Sequence, residues 1–198
     1  MAPSDEELVD AFQRGDLCAF DVLVRRWERK IHGAVYRMLG SEDETRDISQ
    51  ETFLRAYRAL GTFKKEARFS SWLYQITLNL CRDRLRRRKL RNHVSLDALD
   101  EAAGASFPPA AGPSAFDLLE RRDLSRSVAA AVEALPEEQR EVIVLKEYQG
   151  LTFLEVAEAL GLPPSTVKTR LYRGLRLLRQ QLERQGIRGP AAVPEPLP

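Results

Sequence analysis

The stretch "GLPPSTVKTRLYRG", residues 161–174, predicts a sharp turn between two helices. Gly161 suits the left-handed conformation that commonly ends a helix, and Pro164 suits the first position of the helix that follows. The small Ala157 upstream would let the two helices approach closely, and Val167 would pack the second helix onto the first. This spacing predicts a helix-turn-helix.

The first helix of this pair begins with a capping-box signature, Thr152 and Glu155. On the second helix, the residues facing away from the packing are polar or basic, as on the part of a recognition helix that reaches base edges in the major groove. These candidate DNA-binding residues are Ser165, Thr166, Lys168, Thr169, Arg170, Tyr172, Arg173 and Arg176. Arg170 and Arg176 are assigned to phosphates. A helical hairpin with a solvated basic face remains the alternative.

Charge is distributed unevenly along the 198 residues, although the net charge is only +2. Residues 82–91, "RDRLRRRKLR", carry seven basic side chains against Asp83 alone, and residues 168–184 carry six against Glu183. Acidic residues concentrate in 41–44 and 136–141. Clustering of this kind is typical of a nucleic-acid-binding protein, and for either run taken singly a solvated helix face remains the alternative.

Several function classes are disfavoured by composition. The sequence contains no apolar run long enough to cross a membrane, and its acidic N-terminus does not resemble a signal peptide. Cys18, Cys81, His32 and His93 lack the spacing of a disulfide framework or a zinc site. No nucleophile–base set, P-loop or metal cluster is evident. We expect a cytoplasmic protein without cofactor, metal or enzymatic activity.

Helical periodicity dominates the first half, and no strand alternation is evident. Ser4 and Glu7 form a capping-box signature, and Gly40 is expected to end the second helix. Three apolar stripes with helical spacing follow one another: Phe20, Val24, Trp27 and Ile31; then Phe53, Tyr57 and Leu60; then Leu73, Ile76 and Leu80. The last stripe continues into the basic run.

The periodicity fails between the two halves. Thirteen of the fourteen residues 102–115 are Ala, Gly, Ser or Pro, a composition that cannot bury enough apolar surface to offset its ordering entropy. The predicted fold is therefore all-α, with two small helical domains joined by a flexible linker. The first spans 1–95, the linker 96–119 and the second, a four-helix domain, 120–187, followed by a disordered tail, 188–198.

Three segments together resemble one family. "DISQETFLRAYRAL" (47–60) and "FSSWLYQITLNLCRDRLRRRKLR" (69–91) resemble the second conserved region of bacterial sigma factors. Residues 134–179, from "ALPEEQREVIVL" to "GLPPSTVKTRLYRGLRLLR", resemble their fourth region. The short linker makes the whole similar to the extracytoplasmic-function (ECF) class.

The resemblance implies a subunit that binds core RNA polymerase at the β′ clamp and the β flap and binds promoter DNA. It assigns polymerase docking to Asp47, Gln50, Glu51 and Phe53. It assigns recognition and melting of the minus-ten element to Lys64, Lys65, Arg68, Ser70, Trp72, Asn79, Arg82 and Arg86. The helix-turn-helix would read the minus-thirty-five element. Core packing remains an alternative for Phe53 and Trp72.

The resemblance also implies an anti-sigma factor as a partner, although no residue identifies it. The sequence departs from the family pattern at Leu154, where a polar residue is usual, and at Pro163–Pro164, where one proline is usual. The alternative function is a free-standing transcriptional regulator. Such a regulator would share the helix-turn-helix but would not need the polar face and basic, aromatic segment of residues 47–91.

Overall fold

A computed structural model describes the backbone of residues 2–64, 68–94 and 115–187, and the side chains of 2–64, 68–91 and 124–187. Every regular element in these ranges is helical, which confirms the all-α prediction. The elements are α1 (Asp5–Gln13), α2 (Cys18–Leu39), α3 (Glu42–Leu60), α4 (Phe69–Val94), α5 (Ala115–Glu133), α6 (Glu137–Ile143), a π-helical segment (Val144–Tyr148), α7 (Phe153–Leu160) and α8 (Pro164–Arg184).

The predicted helix boundaries of the first half depend on local capping. The Ser4 hydroxyl accepts a hydrogen bond from the Glu7 N–H at 3.2 Å, and the Glu7 carboxylate accepts one from the Ser4 N–H at 2.7 Å. Gly40 ends α2 with φ of 71°, and Ser41 then caps α3. The capping box and the terminating glycine are confirmed.

The α2 stripe faces the core as predicted. Phe20, Trp27 and Ile31 are buried, and Val24 is partly buried against them. The Trp27 indole N–H also donates to the Asp5 carboxylate at 3.0 Å, which joins α1 to α2.

The predicted stripe of α3 is partly wrong. Tyr57 is 43% exposed, and its ring packs edge-on against Phe12 and Phe20 at the margin of the core. Thr52 is buried instead, because its hydroxyl donates to the Ile48 carbonyl at 2.8 Å and so leaves no unpaired donor. The buried row of α3 is Ile48, Thr52, Ala56 and Leu60.

The helix-turn-helix forms as predicted. Gly161 adopts φ of 65°, and Val167 and Leu171 are buried on the inner face of α8. The sequence analysis missed Gly174, where an added Cβ would lie 2.8 Å from the Ile143 side chain. This glycine lets α8 pack closely against α6.

The helix α4 belongs to the first half (α1–α4) and packs against the second half (α5–α8). Leu73 and Leu80 of its predicted stripe are buried, and Ile76 is partly buried. Tyr74 and Leu78 are also buried. The Tyr74 ring packs on Trp27 of α2 at 5.7 Å, and its hydroxyl donates to Gln149 at 2.9 Å. Helix α7 also packs on α4. A single stripe therefore underestimates how much of this helix is covered.

The segment between the halves lies mostly outside the described residues, as does the tail 188–198. Helix α5 begins at Ala115, inside the segment 96–119 that was assigned to the linker. None of the helices in the described ranges is long and apolar enough to span a membrane.

Candidate nucleic-acid interface

The first three turns of α8 present a polar and basic face. Ser165, Lys168, Thr169 and Arg173 are exposed, and the Thr169 hydroxyl donates to the Ser165 carbonyl at 3.0 Å. Because Val167 and the rest of the apolar side anchor the helix, this face is held outward. The arrangement matches the predicted reading face, and DNA binding by these side chains stays a prediction.

The remaining predicted residues of α8 differ in accessibility. Thr166 and Tyr172 are half-buried, whereas Arg176 is exposed. Arg170 pairs with Glu138 of α6 at 3.0 Å, and its side chain is 22% exposed. Arg170 therefore also holds α8 against α6.

The predicted minus-ten residues begin in the segment before α4. Lys64 is exposed, Lys65 lies outside the described residues, and Ser70 is half-buried. The Arg68 guanidinium, 69% exposed, donates to the Glu155 carboxylate of α7 at 2.6 Å. The basic segment is thus linked directly to the second half.

Trp72 is half-buried in an aromatic cluster. Its ring centroid lies 4.7 Å from that of Phe63 and 5.8 Å from that of Phe69. This packing supports the structural alternative for Trp72, which anchors the segment before α4 to the helix itself.

Arg82 is the most strongly bound of the predicted minus-ten residues. Its Nε and Nη2 donate to the two Glu141 oxygens at 2.5 and 2.8 Å, and its Nη1 donates to Asn79 at 3.0 Å. The hydrogen bond with Glu141 raises the pKa of Arg82. Asn79 and Arg86 are exposed, and Arg86 pairs with Asp83 at 2.9 Å.

The basic run 82–91 divides into inward and outward residues. Arg84 lies 3.5 Å from Glu44, and Arg88 donates to the Leu39 carbonyl at the C-terminal end of α2. These two arginines hold helices of the first half together. The exposed basic residues of the run are Arg86, Arg87, Lys89 and Arg91.

The predicted polymerase-docking residues lie along α3. Asp47 and Gln50 are exposed, and Glu51 pairs with Arg55 at 2.7 Å. Phe53 is partly buried against the core, which supports its packing alternative. Between α3 and α4 runs a groove of about 340 Å³, lined by charges of both signs.

Sequence reasoning missed the acidic partners of the minus-ten residues. The sequence predicted Glu155 only as part of the capping box with Thr152. Hydrogen bonds from the Thr152 N–H and hydroxyl, together with the Arg68 guanidinium, lower the pKa of Glu155. Glu141 is 2% exposed. Glu141 directly precedes the apolar run "VIVL", and a carboxylate buried beside such a run needs a partner. This position was therefore a signal in the sequence for an ion pair.

The fold and the exposed basic surfaces define a two-part helical protein suited to nucleic acid. Residues 23–91 match the family description Sigma-70 region 2, and residues 125–178 match Sigma-70, region 4. The chain is 40% identical to the ECF RNA polymerase sigma factor SigW of Bacillus subtilis over 172 residues, which cover 86% of this chain and 92% of the relative. It is 32% identical to the ECF RNA polymerase sigma-E factor of Escherichia coli K12 over 184 residues, which cover 91% of this chain and 95% of the relative.

Solved structures share the fold. The structure of CnrH in complex with the cytosolic domain of CnrY matches with a TM-score of 0.68 and 28% identity, covering 92% of this chain and 99% of CnrH. RpoE of Bartonella quintana, solved with the anti-sigma factor NepR, matches with a TM-score of 0.68 at 21% identity. The match covers 83% of this chain and 96% of RpoE.

The chain belongs to the ECF family of RNA polymerase sigma factors. It is therefore a promoter-recognition subunit, a transcription initiation factor rather than an enzyme.

Proposed function

We propose that this chain binds core polymerase, recognises minus-ten and minus-thirty-five elements and promotes opening of the DNA strands. One observation carries the proposal. The exposed, basic start of α8 and the basic helix α4 lie in one chain, each positioned by its own helical half. Residues 1–95 would form the minus-ten and polymerase-docking domain and residues 120–187 the minus-thirty-five domain, joined by 96–119.

The reading of the minus-thirty-five element is assigned to α8. Lys168 and Arg173 are exposed and can donate to guanine acceptors, and Arg176 would contact phosphates. Arg170 would also contact a phosphate. Its guanidinium would then leave the Glu138 carboxylate and bind a phosphate oxygen of the DNA.

The minus-ten element is assigned to the segment before α4 and to α4. Lys64, Arg68, Arg82 and Arg86 are the charged candidates with described side chains. Asn79 is an exposed polar candidate beside Arg82.

Two protein partners belong to the proposal. Core polymerase would dock on α3 through its β′ clamp and contact the second half through its β flap. An anti-sigma factor follows from membership of the family, and the related CnrH was solved with the cytosolic domain of another protein, CnrY.

Magnitudes explain why polymerase is needed. Separating duplex DNA costs about 1.4 kcal/mol per base-pair step. Captured bases return roughly 1–3 kcal/mol each by stacking, and a few of them do not offset a bubble of several steps. Polymerase would hold both strands and fix the spacing of two weakly binding domains, which raises their effective concentration.

A reconstitution tests this function. Promoters are first mapped by sequencing transcripts after overexpression. The purified chain, core polymerase and a mapped promoter are then assayed for retention of the chain by polymerase, run-off transcription and permanganate reactivity of the minus-ten region. We expect retention, and transcription and permanganate reactivity only when both proteins are present. Tight operator binding by the chain alone, without retention by polymerase, would instead identify a free-standing regulator.

A further inference from the structure

We propose that Phe153 is a positioning residue for the reading of the minus-thirty-five element, because its ring holds the Lys168 ammonium at the reading face of α8. The inference rests on the proposed function, which assigns base contacts to Lys168. The contact between the two side chains belongs to the free protein and joins the start of α7 to α8. Phe153 acts through the lysine and does not itself contact a base.

The first observation is that two ammonium groups surround one aromatic ring. The Lys168 Nζ lies 5.7 Å from the centroid of the Phe153 ring, and the Lys146 Nζ of the π-helical segment lies 5.3 Å from it. Both distances fall within the reach of cation–π attraction, about 6 Å. The ring is thus an electrostatic partner that the two lysines share.

The fold holds the Phe153 ring in place. Phe153 is the first residue of α7, where Thr152 and Glu155 close the capping box, and its side chain is partly buried against the hydrophobic core. Lys168, by contrast, is exposed and directly follows the buried Val167 on α8. Because the ring is fixed and the lysine is solvated, the ring restrains the lysine rather than the reverse.

This restraint matters because lysine loses more side-chain entropy than most residues when it is immobilised. A Lys168 side chain that is already directed in the free protein loses less freedom on binding, and such preorganisation strengthens a complex. Attraction to the ring acts on the whole ammonium group and occupies none of its N–H donors exclusively. Lys168 can therefore keep the ring contact while it donates to guanine.

Other basic residues of α8 are held in a different way. Arg170 pairs with Glu138, and Arg179 pairs with Glu183. Among the side chains that the structure describes, no carboxylate pairs with Lys168, so DNA has no acid to displace from it. The ring is a restraint that leaves the charge of Lys168 available.

Fluorination of the ring tests the contact in the free protein at nearly constant size. Fluorine withdraws electron density from the ring face, so Phe153→pentafluorophenylalanine removes the attraction for a cation but keeps an apolar ring. With carbon-13-labelled lysine, we expect the Cε protons of Lys168 to resonate upfield in the parent and in Phe153→Tyr. In the fluorinated variant they should move to the position of a free lysine. Equal positions in the parent and the fluorinated variant would overturn the proposal.

Promoter selectivity with core polymerase tests the role of the contact. A library of minus-thirty-five variants first identifies the base pair whose preference is lost in Lys168→Met. Fluorination of Phe153 should reduce the preference at this pair about two- to fivefold, as expected for a cation–π contact at an exposed site, and Phe153→Tyr should retain it. In the Lys168→Met background, fluorination should have no further effect. Leu154→Ala is the control, since Leu154 adjoins Phe153 and is 71% exposed.

Three outcomes of the selectivity assay would overturn the proposal. Full preference in Lys168→Met would show that this lysine reads no base. Equal losses on fluorination with and without Lys168 would show that Phe153 has only a structural role. A stronger preference after fluorination would show that the ring holds the lysine away from DNA. All three leave transcription by the parent intact, whereas failure of the parent to transcribe with polymerase would refute the proposed function and this inference with it.

Discussion

At the scale of single residues, the candidate site is a set of side chains whose neighbours decide their availability. Arg173 and Lys168 are exposed, whereas Arg82 already binds a carboxylate. All three are basic residues on helices and look equivalent in the sequence. Exposure and partners, rather than residue type, separate a side chain that is accessible to a ligand from one that already binds a carboxylate.

Replacing Arg173 with alanine should weaken the promoter complex by about 1–3 kcal/mol and relax preference at one minus-thirty-five position, because a base-edge contact is lost. Transcription from a library of promoter variants measures both effects. Arg179→Ala, farther along α8 where the parent residue pairs with Glu183, is the control. A uniform loss over all sequences would show that Arg173 contacts a phosphate instead.

The Glu155 carboxylate should make stability depend on pH. Hydrogen bonds from Thr152, with help from Arg68, lower its pKa in the folded state. Its contribution is therefore present above the unfolded pKa and is lost as the pH falls through the lower, folded value. Urea unfolding at pH 6 and pH 3 should show Glu155→Gln less stable than the parent by about 0.3–1 kcal/mol at pH 6, with a smaller difference at pH 3. Equal stability at pH 6 would contradict this, and Glu158→Gln is the control.

At the scale of elements, the turn between α7 and α8 orients the reading face. Gly161 takes φ of 65° with open space around its Cα, so its requirement is conformational rather than steric. In α3, by contrast, packing against neighbouring helices rather than a local sequence pattern decides which face is buried.

Gly161→Ala should lower the free energy of unfolding by about 1 kcal/mol, because a left-handed conformation costs a residue with a Cβ about 1–2 kcal/mol. Gly61→Ala is the matched control, since Gly61 has φ of −61° and also has open space. That change should be neutral or stabilise by about 0.4–1 kcal/mol. Urea titration measures both, and equal effects would disprove the argument.

The exposed face of α3 carries the docking prediction. Asp47→Ala combined with Gln50→Ala should weaken core-polymerase binding at least about tenfold without loss of helicity, because both side chains point to solvent. Glu28→Ala with Arg29→Ala, exposed on α2, is the control. Binding assays measure the affinity for core polymerase, and circular dichroism measures helicity. Unchanged affinity for polymerase would show that the docking assignment is wrong.

At the scale of the whole molecule, two helical halves lie against each other through α4 and α7. Arg140 reinforces the contact by donating to the Met38 carbonyl at 2.6 Å, and Arg37 stacks on the Tyr148 ring at 4.2 Å. Contacts between the halves, as well as the packing within each half, therefore determine the arrangement of the molecule.

Alanine at Lys64, Lys65 and Arg68 together should reduce strand opening more than closed-complex formation. These basic residues precede α4, where the proposed function places the separating strands. Within a polymerase complex, permanganate reactivity should fall at least about tenfold, while filter binding falls by less than about threefold. Equal losses in the two assays would assign the segment to duplex binding instead.

The sequence by itself determined the helical class, the helix-turn-helix and the capped helix ends, because capping boxes, terminating glycines and apolar stripes act over a few residues. The outward face of α8 was predictable for the same reason. Only the tertiary structure decided that Thr52 rather than Tyr57 is buried, and that Arg82 and Arg68 bind Glu141 and Glu155. The pairs Arg82–Glu141 and Arg68–Glu155 join residues 59 and 87 positions apart. No local pattern encodes such contacts, since they arise only when surfaces from distant parts of the sequence meet.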